Sequence, residues 1–474
     1  MCHYLLKQAW FYALAVFVLV ALGTVLVSHT VQPTYVADLK ARGLPATWQD
    51  LQTSYDNHPA SENGAALVLG AAEALPNIDC DDTLFENLPY AGEARLPEPW
   101  EPVPPRMQQA IDRADKLFEE SRALLTRAVT HQVIRFEIDF SLGFYIVARH
   151  TSLLRSLERF LAVHTLDAAR KQRPQETAEA LLLQLDLQRA FEKPPFLIGA
   201  LVRIALDGIY IGVLEQAVNR VTLTPAQLRT IQAAMSQPLH RSLENMREAL
   251  VNDLLIGMQE SERLMVRVNE IGPDDTQASR TLSGKLRAEE VLEMDDLVTL
   301  SMRWHKQVLW RLSGAFAFTQ LTYIRTMKSA WHTGSLPPHE ALQYDFAEEI
   351  LAKTTQYRSL HAHILLPALG RTYLSAARSI AYNDLGRVAL ALLRYHREQG
   401  GLPQALEALV PAYLDAVPID PFSGAPLRYI RSENGFLVYS FGHDRDDDGG
   451  ADPPKNESIM NDGDLNFEVR GLGM

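Results

Sequence analysis

The chain has 474 residues, of which 47% are hydrophobic, 22% charged and 8% aromatic. This composition is typical of a globular protein with a sizeable core and excludes an intrinsically disordered chain. The formal net charge is −13, from 45 basic and 58 acidic residues. Because nucleic-acid-binding proteins need basic surface patches, this charge argues against a nucleic-acid partner.

An uncharged apolar segment, Ala9–Ser28, lies near the N-terminus. Its length is that of a single membrane-spanning helix, which needs about 20 apolar residues. We therefore predict a signal anchor that crosses the inner membrane once, with residues 1–8 in the cytoplasm and the rest of the chain exported to the periplasmic side. A cleaved signal peptide is the alternative, because Ala21 and Gly23 are small residues of the kind that signal peptidase accepts.

Residues 29–105 are predicted to form a juxtamembrane segment followed by a strap. The strap, Asn77–Pro105, is acidic and rich in proline. Proline removes a helix donor and favours extended backbone, so we expect this segment to connect or to strap other elements without forming a long helix.

Residues 106–370 are predicted to form an all-helical body. Leu154, Leu157 and Leu161 recur at the spacing of one buried helical face. Prolines interrupt the pattern, and Thr224 before Pro225 is typical of a helix N-terminus. No fixed repeat period is present, so the sequence predicts a mainly α fold that is either a helical-hairpin bundle or a short solenoid.

A second apolar stretch, Phe196–Leu214, could be mistaken for a membrane span. It contains Arg203 and Asp207, and each charge at the centre of a spanning helix costs about 2.5 to 3.5 kcal/mol. The two residues are four positions apart, where their side chains can meet on one helix face. We expect a buried helix of the soluble body with an internal ion pair.

Residues 371–474 are predicted to form a small α+β module with an antiparallel sheet. A helix over 373–399 ends at a glycine pair, and β-rich segments at 427–431 and 436–440 flank Asn434-Gly435, a strong hairpin-turn signal. Residues 466–469 are predicted to add a further strand.

An aspartate-rich loop follows the second of these strands. Asp444, Asp446 and Asp448 stand at positions 1, 3 and 5 of an EF-hand-type loop, with Gly449 at position 6. Alternating oxygen ligands and a glycine turn suit a hard cation such as Ca²⁺. Lys455 occupies position 12 and the loop follows a strand, so an EF-hand is not expected. The alternative is a solvated acidic loop.

Several short motifs follow one another between residues 384 and 467. They are Gly401-Leu402-Pro403, Asp420-Pro421-Phe422, Leu427-x-Tyr429, Tyr439-Ser440-x-Gly442-x-Asp444 and Asp464-Leu465. This region resembles the globular part of the major pseudopilins of type II secretion systems. The resemblance implies a pseudopilin-like module whose loop binds Ca²⁺ through Asp444, Asp448 and Asp464, with Asp446, Asp447 and Asp462 as further candidate ligands. Such an ion would order the loop and would not catalyse a reaction. The whole layout also resembles uncharacterised bacterial membrane-anchored exported helical proteins, which implies no activity.

No common catalytic signature is present in the sequence: G-x-S-x-G, H-E-x-x-H, G-x-x-x-x-G-K-[ST] and C-x-x-C are all missing. The first hypothesis is therefore a non-enzymatic, membrane-anchored envelope protein. Its helical body binds or scaffolds a protein partner, and Ca²⁺ stabilises its C-terminal module.

Two further hypotheses stay open. An exported hydrolase would use paired carboxylates of the helical body, for example Glu137 with Asp139 or Asp295 with Asp296, and a glycosidase would hold such a pair about 5 to 9.5 Å apart. A secretion or pilus-like assembly component is the other; a prepilin-peptidase site before Ala9 would favour it, and none is present.

Overall fold

The protein is described from a computed structural model, which covers residues 37, 39–56, 62–76, 83–145, 149–191, 195–236, 246–253, 255–257, 329–343, 360–451 and 463–472. Over these ranges the chain is mainly helical and carries one three-stranded antiparallel sheet near its C-terminus. The predicted mainly α class with a small C-terminal sheet is thereby confirmed. The predicted membrane helix, 9–28, lies outside the described residues and stays a prediction.

The helices and strands are numbered here in chain order. The helices are α1 Trp48–Asp56, α2 Ala65–Glu73, α3 Thr83–Asn87, α4 Pro105–Leu117, α5 Glu119–Ala128, α6 Arg149–Arg170, α7 Pro174–Leu187, α8 Leu197–Arg220, α9 Pro225–Met235, α10 Pro338–Ala341 and α11 Leu360–Gln399. Short 3₁₀ helices cover Phe140–Tyr145, Gln188–Phe191 and Leu406–Leu409, and the strands are β1 Arg428–Ser432, β2 Gly435–Ser440 and β3 Leu465–Arg470.

Helix ends follow local sequence signals. The Thr224 hydroxyl accepts the Gln227 N–H at 3.2 Å, and the Gln227 side chain accepts the Thr224 N–H at 2.9 Å. This capping box satisfies two backbone donors that the first turn of α9 leaves unpaired. Helix α11 ends just before Gly400, which takes a positive φ of 76°. A glycine in this left-handed conformation is the usual end of a helix.

Helix α8 lies at the centre of the body. It packs against α6, α11 and β3. Its length and composition would let it cross a membrane, but Arg203 and Asp207 are both buried in the protein interior, with Arg203 Nε 3.0 Å from Asp207 Oδ1. The predicted internal ion pair is confirmed, and the packing agrees with a core helix.

The sheet shares its core with the helices. Phe467 of β3, Leu385 of α11 and Leu214 of α8 belong to one buried apolar cluster. The predicted boundary between residues 370 and 371 falls inside α11, which begins at Leu360 and not near residue 373. Among the described residues, the C-terminal module therefore packs directly on the helical body.

The strand order is β1-β2-β3, and both pairs are antiparallel. The predicted hairpin is confirmed, but its turn is shifted by one residue: Ser432 pairs with Gly435, so Glu433 and Asn434 form the turn. Gly435 lies in β2, where its lack of a side chain allows the neighbouring strand β3 to come close. A Cβ atom on it would lie 1.9 Å from the Val469 carbonyl oxygen, so only glycine allows β3 to approach here.

The outer edge of β3 is closed by side chains of α8. Glu215 accepts the Glu468 N–H at 2.7 Å, while Asn219 accepts the Arg470 N–H at 2.9 Å and donates to the Glu468 carbonyl at 2.8 Å. Side chains four positions apart on a helix are separated by about 6 Å along its axis. Alternate strand residues are about 6.8 Å apart. The two spacings match, so α8 replaces a fourth strand.

Candidate metal centre

The aspartate-rich loop begins at the end of β2 and folds back over the outer face of the sheet. Gly450, near the loop's end, lies against two side chains of this face: a Cβ atom added to it would lie 2.4 Å from Leu437 Cδ2 and 3.2 Å from Tyr439 Cδ1. The positive φ of 81° at Gly450 also favours glycine. The loop is therefore held close to the sheet at its C-terminal end.

Hydrogen bonds join this loop to the start of β3. Gly463 donates its N–H to Asp444 Oδ2 at 2.8 Å, and Gly450 donates its N–H to Asp464 Oδ2 at 2.7 Å. The Asn466 side chain donates to the Gly450 carbonyl at 3.0 Å. These bonds bring Asp464, which is distant in sequence from the loop, next to the aspartates of the loop.

The structure brings three of the predicted ligands together. Carboxylate oxygens of Asp444, Asp446 and Asp448 lie within 4.8 Å of one another, and all three side chains are exposed. A hydrogen bond to Asp444 and the charge of Asp444 raise the pKa of Asp446 above its ordinary value. The cluster therefore has an electrostatic cost that a cation would relieve.

The fourth predicted ligand, Asp464, is buried beside this cluster. Its residue is 2% exposed, and its Oδ1 atom has no hydrogen-bond partner among the described residues. Burial raises the pKa of Asp464 to about 6, and the charges of Asp448, Asp447 and Asp444 act in the same direction. A buried carboxylate oxygen without a partner is costly, and it faces a group of like charges.

Asp447 is turned toward the sheet. Its Oδ1 atom accepts the Tyr439 hydroxyl at 2.9 Å, and its Oδ2 atom lies 4.0 Å from Arg428 Nε. Burial first, and then this hydrogen bond, raise the pKa of Tyr439 to about 12. Asp447 therefore anchors the loop to β1 and β2. The remaining candidate, Asp462, lies outside the described residues.

The donor set suits a hard divalent cation. All candidate ligands are carboxylate oxygens, which Ca²⁺ and Mg²⁺ prefer over softer metals. Two oxygens that each lie about 2.4 Å from one Ca²⁺ ion can be at most about 5 Å apart. The separation within the triad, 4.8 Å or less, is compatible with that limit.

The alternative catalytic carboxylates do not form a comparable site. Glu137 and Asp139 are exposed and alternate with buried Ile138 in an extended segment between α5 and the first 3₁₀ helix, not on a helix. Asp139 accepts the N–H of Ser141 at 2.9 Å. Asp295 and Asp296 lie outside the described residues.

A buried polar cluster surrounds Glu158 of α6, a residue that none of the sequence motifs includes. Glu158 is fully buried, and Gln188 donates to its Oε1 atom at 3.3 Å. Burial raises the pKa of Glu158 to about 8, and the nearby charge of Asp207 acts the same way, while Gln188 and Arg203 oppose it. Across the cluster, Ser379 of α11 donates to Asp207 Oδ2.

A sequence signal for this cluster existed. Leu154, Leu157 and Leu161 define the apolar face of α6, and Glu158 falls on the same face because it is four positions after Leu154. An acidic residue inside an apolar stripe indicates a buried carboxyl group. Its partners on other elements could not be named from this pattern.

A second polar pair, in which the histidine is buried and the aspartate half-buried, lies between α4 and α6. His164 Nδ1 and Asp115 Oδ1 are 2.6 Å apart, and Arg122 Nη1 lies 3.3 Å from His164 Nε2. Burial opposes ionisation of Asp115, but the hydrogen bond and charge of His164 lower the pKa of Asp115 below its ordinary value. The buried Ser121 hydroxyl of α5 donates to the Ala71 carbonyl, so its hydrogen bond goes to the backbone and not to a base that would activate it as a nucleophile.

Comparison with known proteins adds no relative. The chain matches no protein family model, and neither a curated protein nor a solved structure matches it. The resemblance of residues 384–467 to major pseudopilins therefore rests on sequence motifs alone.

Proposed function

We propose that this protein is a non-enzymatic, membrane-anchored envelope protein with a Ca²⁺-stabilised C-terminal module and a helical body that binds or scaffolds a protein partner. One observation carries the proposal: the buried, unpartnered Oδ1 of Asp464 lies beside the clustered carboxylates of Asp444, Asp446 and Asp448.

The ion would have a structural role. Asp464 is joined through Gly450 and Asn466 to the loop that covers the sheet. A cation held by Asp464 and the three loop aspartates would neutralise their mutual repulsion and connect the loop to β3. Because an ion that binds only the folded state stabilises it, the module's folding and its Ca²⁺ binding would be coupled.

The other parts of the proposal rest on different support. The proposed membrane anchor is supported by the uncharged apolar segment Ala9–Ser28. The non-enzymatic role of the body rests on the missing catalytic signatures and on the exposed, non-convergent positions of Glu137 and Asp139.

Calorimetric titration with Ca²⁺ and thermal melts of the full-length protein in detergent test the metal site. The parent is compared with D464N, with the triple variant D444N/D446N/D448N, and with the matched control D415N, which changes an exposed aspartate outside the loop. We expect saturable binding and a higher Tm in Ca²⁺ than in EGTA for the parent and D415N. Both responses should be lost in the triple variant and weakened in D464N.

Two results would oppose the metal site. Equal melting temperatures of the parent in Ca²⁺ and in EGTA would make the aspartates a solvated loop. Unchanged binding in the triple variant would place any Ca²⁺ elsewhere in the chain.

The native cysteines test the membrane topology. Cys2 precedes the predicted anchor and Cys80 follows it. In single-cysteine variants, an impermeant maleimide added to cells with a permeabilised outer membrane should label Cys80, and it should label Cys2 only after the inner membrane is also opened. Labelling of Cys2 in intact spheroplasts would contradict the cytoplasmic N-terminus.

A further inference from the structure

Arg394 of α11 is a buried cation that lacks a carboxylate partner. The residue is 7% exposed. Its Nη1 atom donates to Gln232 Oε1 of α9 at 2.6 Å, but no aspartate or glutamate among the described residues forms an ion pair with it. Arg203, which is also buried, has Asp207 at 3.0 Å. A buried charge without a counter-charge is costly, so the position of Arg394 needs an explanation.

The guanidinium group of Arg394 has an enclosed nitrogen and an open one. Nε is fully enclosed and has no hydrogen-bond partner. Nη2 has no partner among the described residues either, but it is not enclosed, so an acceptor from solution can reach it. The group lies over the Tyr413 ring, 5.2 Å from its centroid, and this cation–π contact holds it in place. The open donor is therefore fixed before any ligand arrives.

A second guanidinium group lies near the first. Arg229 of α9 has a side chain that is 62% exposed, and its Nη2 atom is 3.6 Å from Glu398 Oε1. Glu398 Oε2 accepts the Tyr413 hydroxyl at 2.9 Å. Burial first, and then the charge of Arg229, lower the pKa of Arg394, whereas Glu398 and Tyr413 oppose this change. Two arginines thus share one glutamate, which leaves the group with a positive charge in excess.

The excess charge is local. Arg387, two turns earlier in α11, is balanced, because its Nη1 atom lies 3.0 Å from Asp384 Oδ1 and its Nε atom donates to Ser236 Oγ at 3.1 Å. The whole chain carries a formal net charge of −13. The unbalanced cation at the seam between α9 and α11 is therefore a property of Arg394 and Arg229 and not of a generally basic surface.

We propose that Arg394 and Arg229 bind the carboxylate group of a small organic acid at the seam between α9 and α11. One negative charge balances the excess of the group. A carboxylate accepts charge-assisted hydrogen bonds from guanidinium N–H groups, with the Nη2 atom of Arg394 as the inner donor and Arg229 as the outer one. Because Arg394 is almost fully enclosed, only a small ligand group can reach it. The inference goes beyond the proposed function and does not depend on the metal site or the anchor.

Charge favours a carboxylate over a phosphate group. A phosphate monoester carries about 1.5 to 2 negative charges at pH 7. Beside Glu398, which lies between Arg229 and Tyr413, a phosphate group would replace the positive excess with a negative one. A carboxylate leaves the group of charges balanced, so we assign the site to this class of ligand.

Thermal melts of the full-length protein in detergent test the ligand. Sodium acetate replaces sodium chloride at constant ionic strength, so that charge screening stays the same. We expect acetate to raise the Tm of the parent in a saturable way, on the order of 1 to 2 °C. Inorganic phosphate should raise the Tm of the parent and of R394Q equally, because its general stabilising effect needs no site.

Three variants test the residues. R394Q removes the buried charge and keeps an amide donor for Gln232, and it should lose the response to acetate. R229Q changes an exposed side chain, so it leaves the fold intact, and it should weaken acetate binding about tenfold. The matched control R397Q removes an exposed arginine of α11 and should respond to acetate as the parent does.

The inference is overturned if the parent melts at the same temperature in acetate and in chloride, if R394Q or R229Q responds to acetate as strongly as the parent, or if R397Q loses the response as R229Q does. A Tm rise with phosphate that disappears in R394Q, without a rise in acetate, would overturn the assignment to a carboxylate and give the site to a phosphate group.

Discussion

Asn219 accepts a hydrogen bond from the backbone N–H of Arg470 at 2.9 Å, although the two residues are 251 positions apart. The same side chain donates to the carbonyl of Glu468, so one helix residue provides the donor and the acceptor that a neighbouring strand would provide. The contact joins the C-terminal sheet to the helical body and closes the outer edge of β3.

Replacing Asn219 should destabilise the protein by opening the outer edge of β3. N219A removes two hydrogen bonds to β3 and one to the Glu215 carbonyl of α8. Each makes a net contribution of about 1 kcal/mol, so urea unfolding should report a loss of about 1 to 3 kcal/mol. N219D keeps the acceptor for the Arg470 N–H but turns a carboxylate oxygen toward the Glu468 carbonyl, so it should not restore the stability of the parent. Wild-type stability in N219A would contradict the sealing role.

Glu158 should make stability depend on pH. Burial raises its pKa to about 8 from an ordinary value of 4.5, so the folded state retains a proton that the unfolded chain releases. This stabilising contribution is complete below pH 4.5, declines as the pH rises toward 8 and is gone above it. Gln188, Arg203, Asp207 and Tyr210 surround the carboxyl group.

The variant E158Q tests this pH dependence. Between pH 5 and 8.5, the free energy of unfolding of E158Q should change less than that of the parent. The difference should be on the order of a few kcal/mol. Urea unfolding across that range measures the difference, with the exposed E137Q as a control for other titrations. Parallel pH profiles of E158Q and the parent would show that Glu158 does not retain its proton.

Gly435 should tolerate no side chain. In G435A the new methyl group would collide with the Val469 carbonyl, and overpacking of this kind costs about 1 to 3 kcal/mol. G401A is the matched control, because a Cβ atom there meets nothing within 4 Å. Chemical unfolding should show a lower midpoint for G435A alone. Equal midpoints for the two variants would mean that β3 can move away from β2.

The Arg203–Asp207 pair should behave as a unit. D207L leaves the Arg203 guanidinium buried without its carboxylate and should cost about 3 to 5 kcal/mol. The double variant R203M/D207L removes both charges and should be more stable than D207L alone. A double-mutant cycle of unfolding free energies measures the coupling. Additive losses would show that the two side chains do not depend on each other.

Much of the fold was predictable because its signals are local. The capping box at Thr224 and Gln227, the glycine end of α11 and the β-rich segments around Asn434 each depend on hydrogen bonds within a few residues. Gly435 shows the limit of such signals. The Asn434-Gly435 pattern predicts that Gly435 lies in the turn, but its close neighbour in the structure is Val469 of β3, which is distant from the turn in sequence.

The candidate site was predictable in part for the same reason. The alternating spacing of Asp444, Asp446 and Asp448 places their oxygens together within one loop. Asp464 entered only through a family resemblance, and its burial depends on the fold of the loop over the sheet. The cluster around Glu158 joins α6, α8 and α11, so no local pattern could define it.

By itself, the sequence determined the mainly α body, the hairpin, the buried Arg203–Asp207 pair and the aspartate triad, because periodicity and short-range hydrogen bonds act between near neighbours along the chain. Only the tertiary structure decided that Glu215 and Asn219 close the outer edge of β3 and that Asp464 lies beside the loop. These features depend on which surfaces pack together, and a single side-chain donor or acceptor carries no mark in the sequence of the distant backbone group that it will meet.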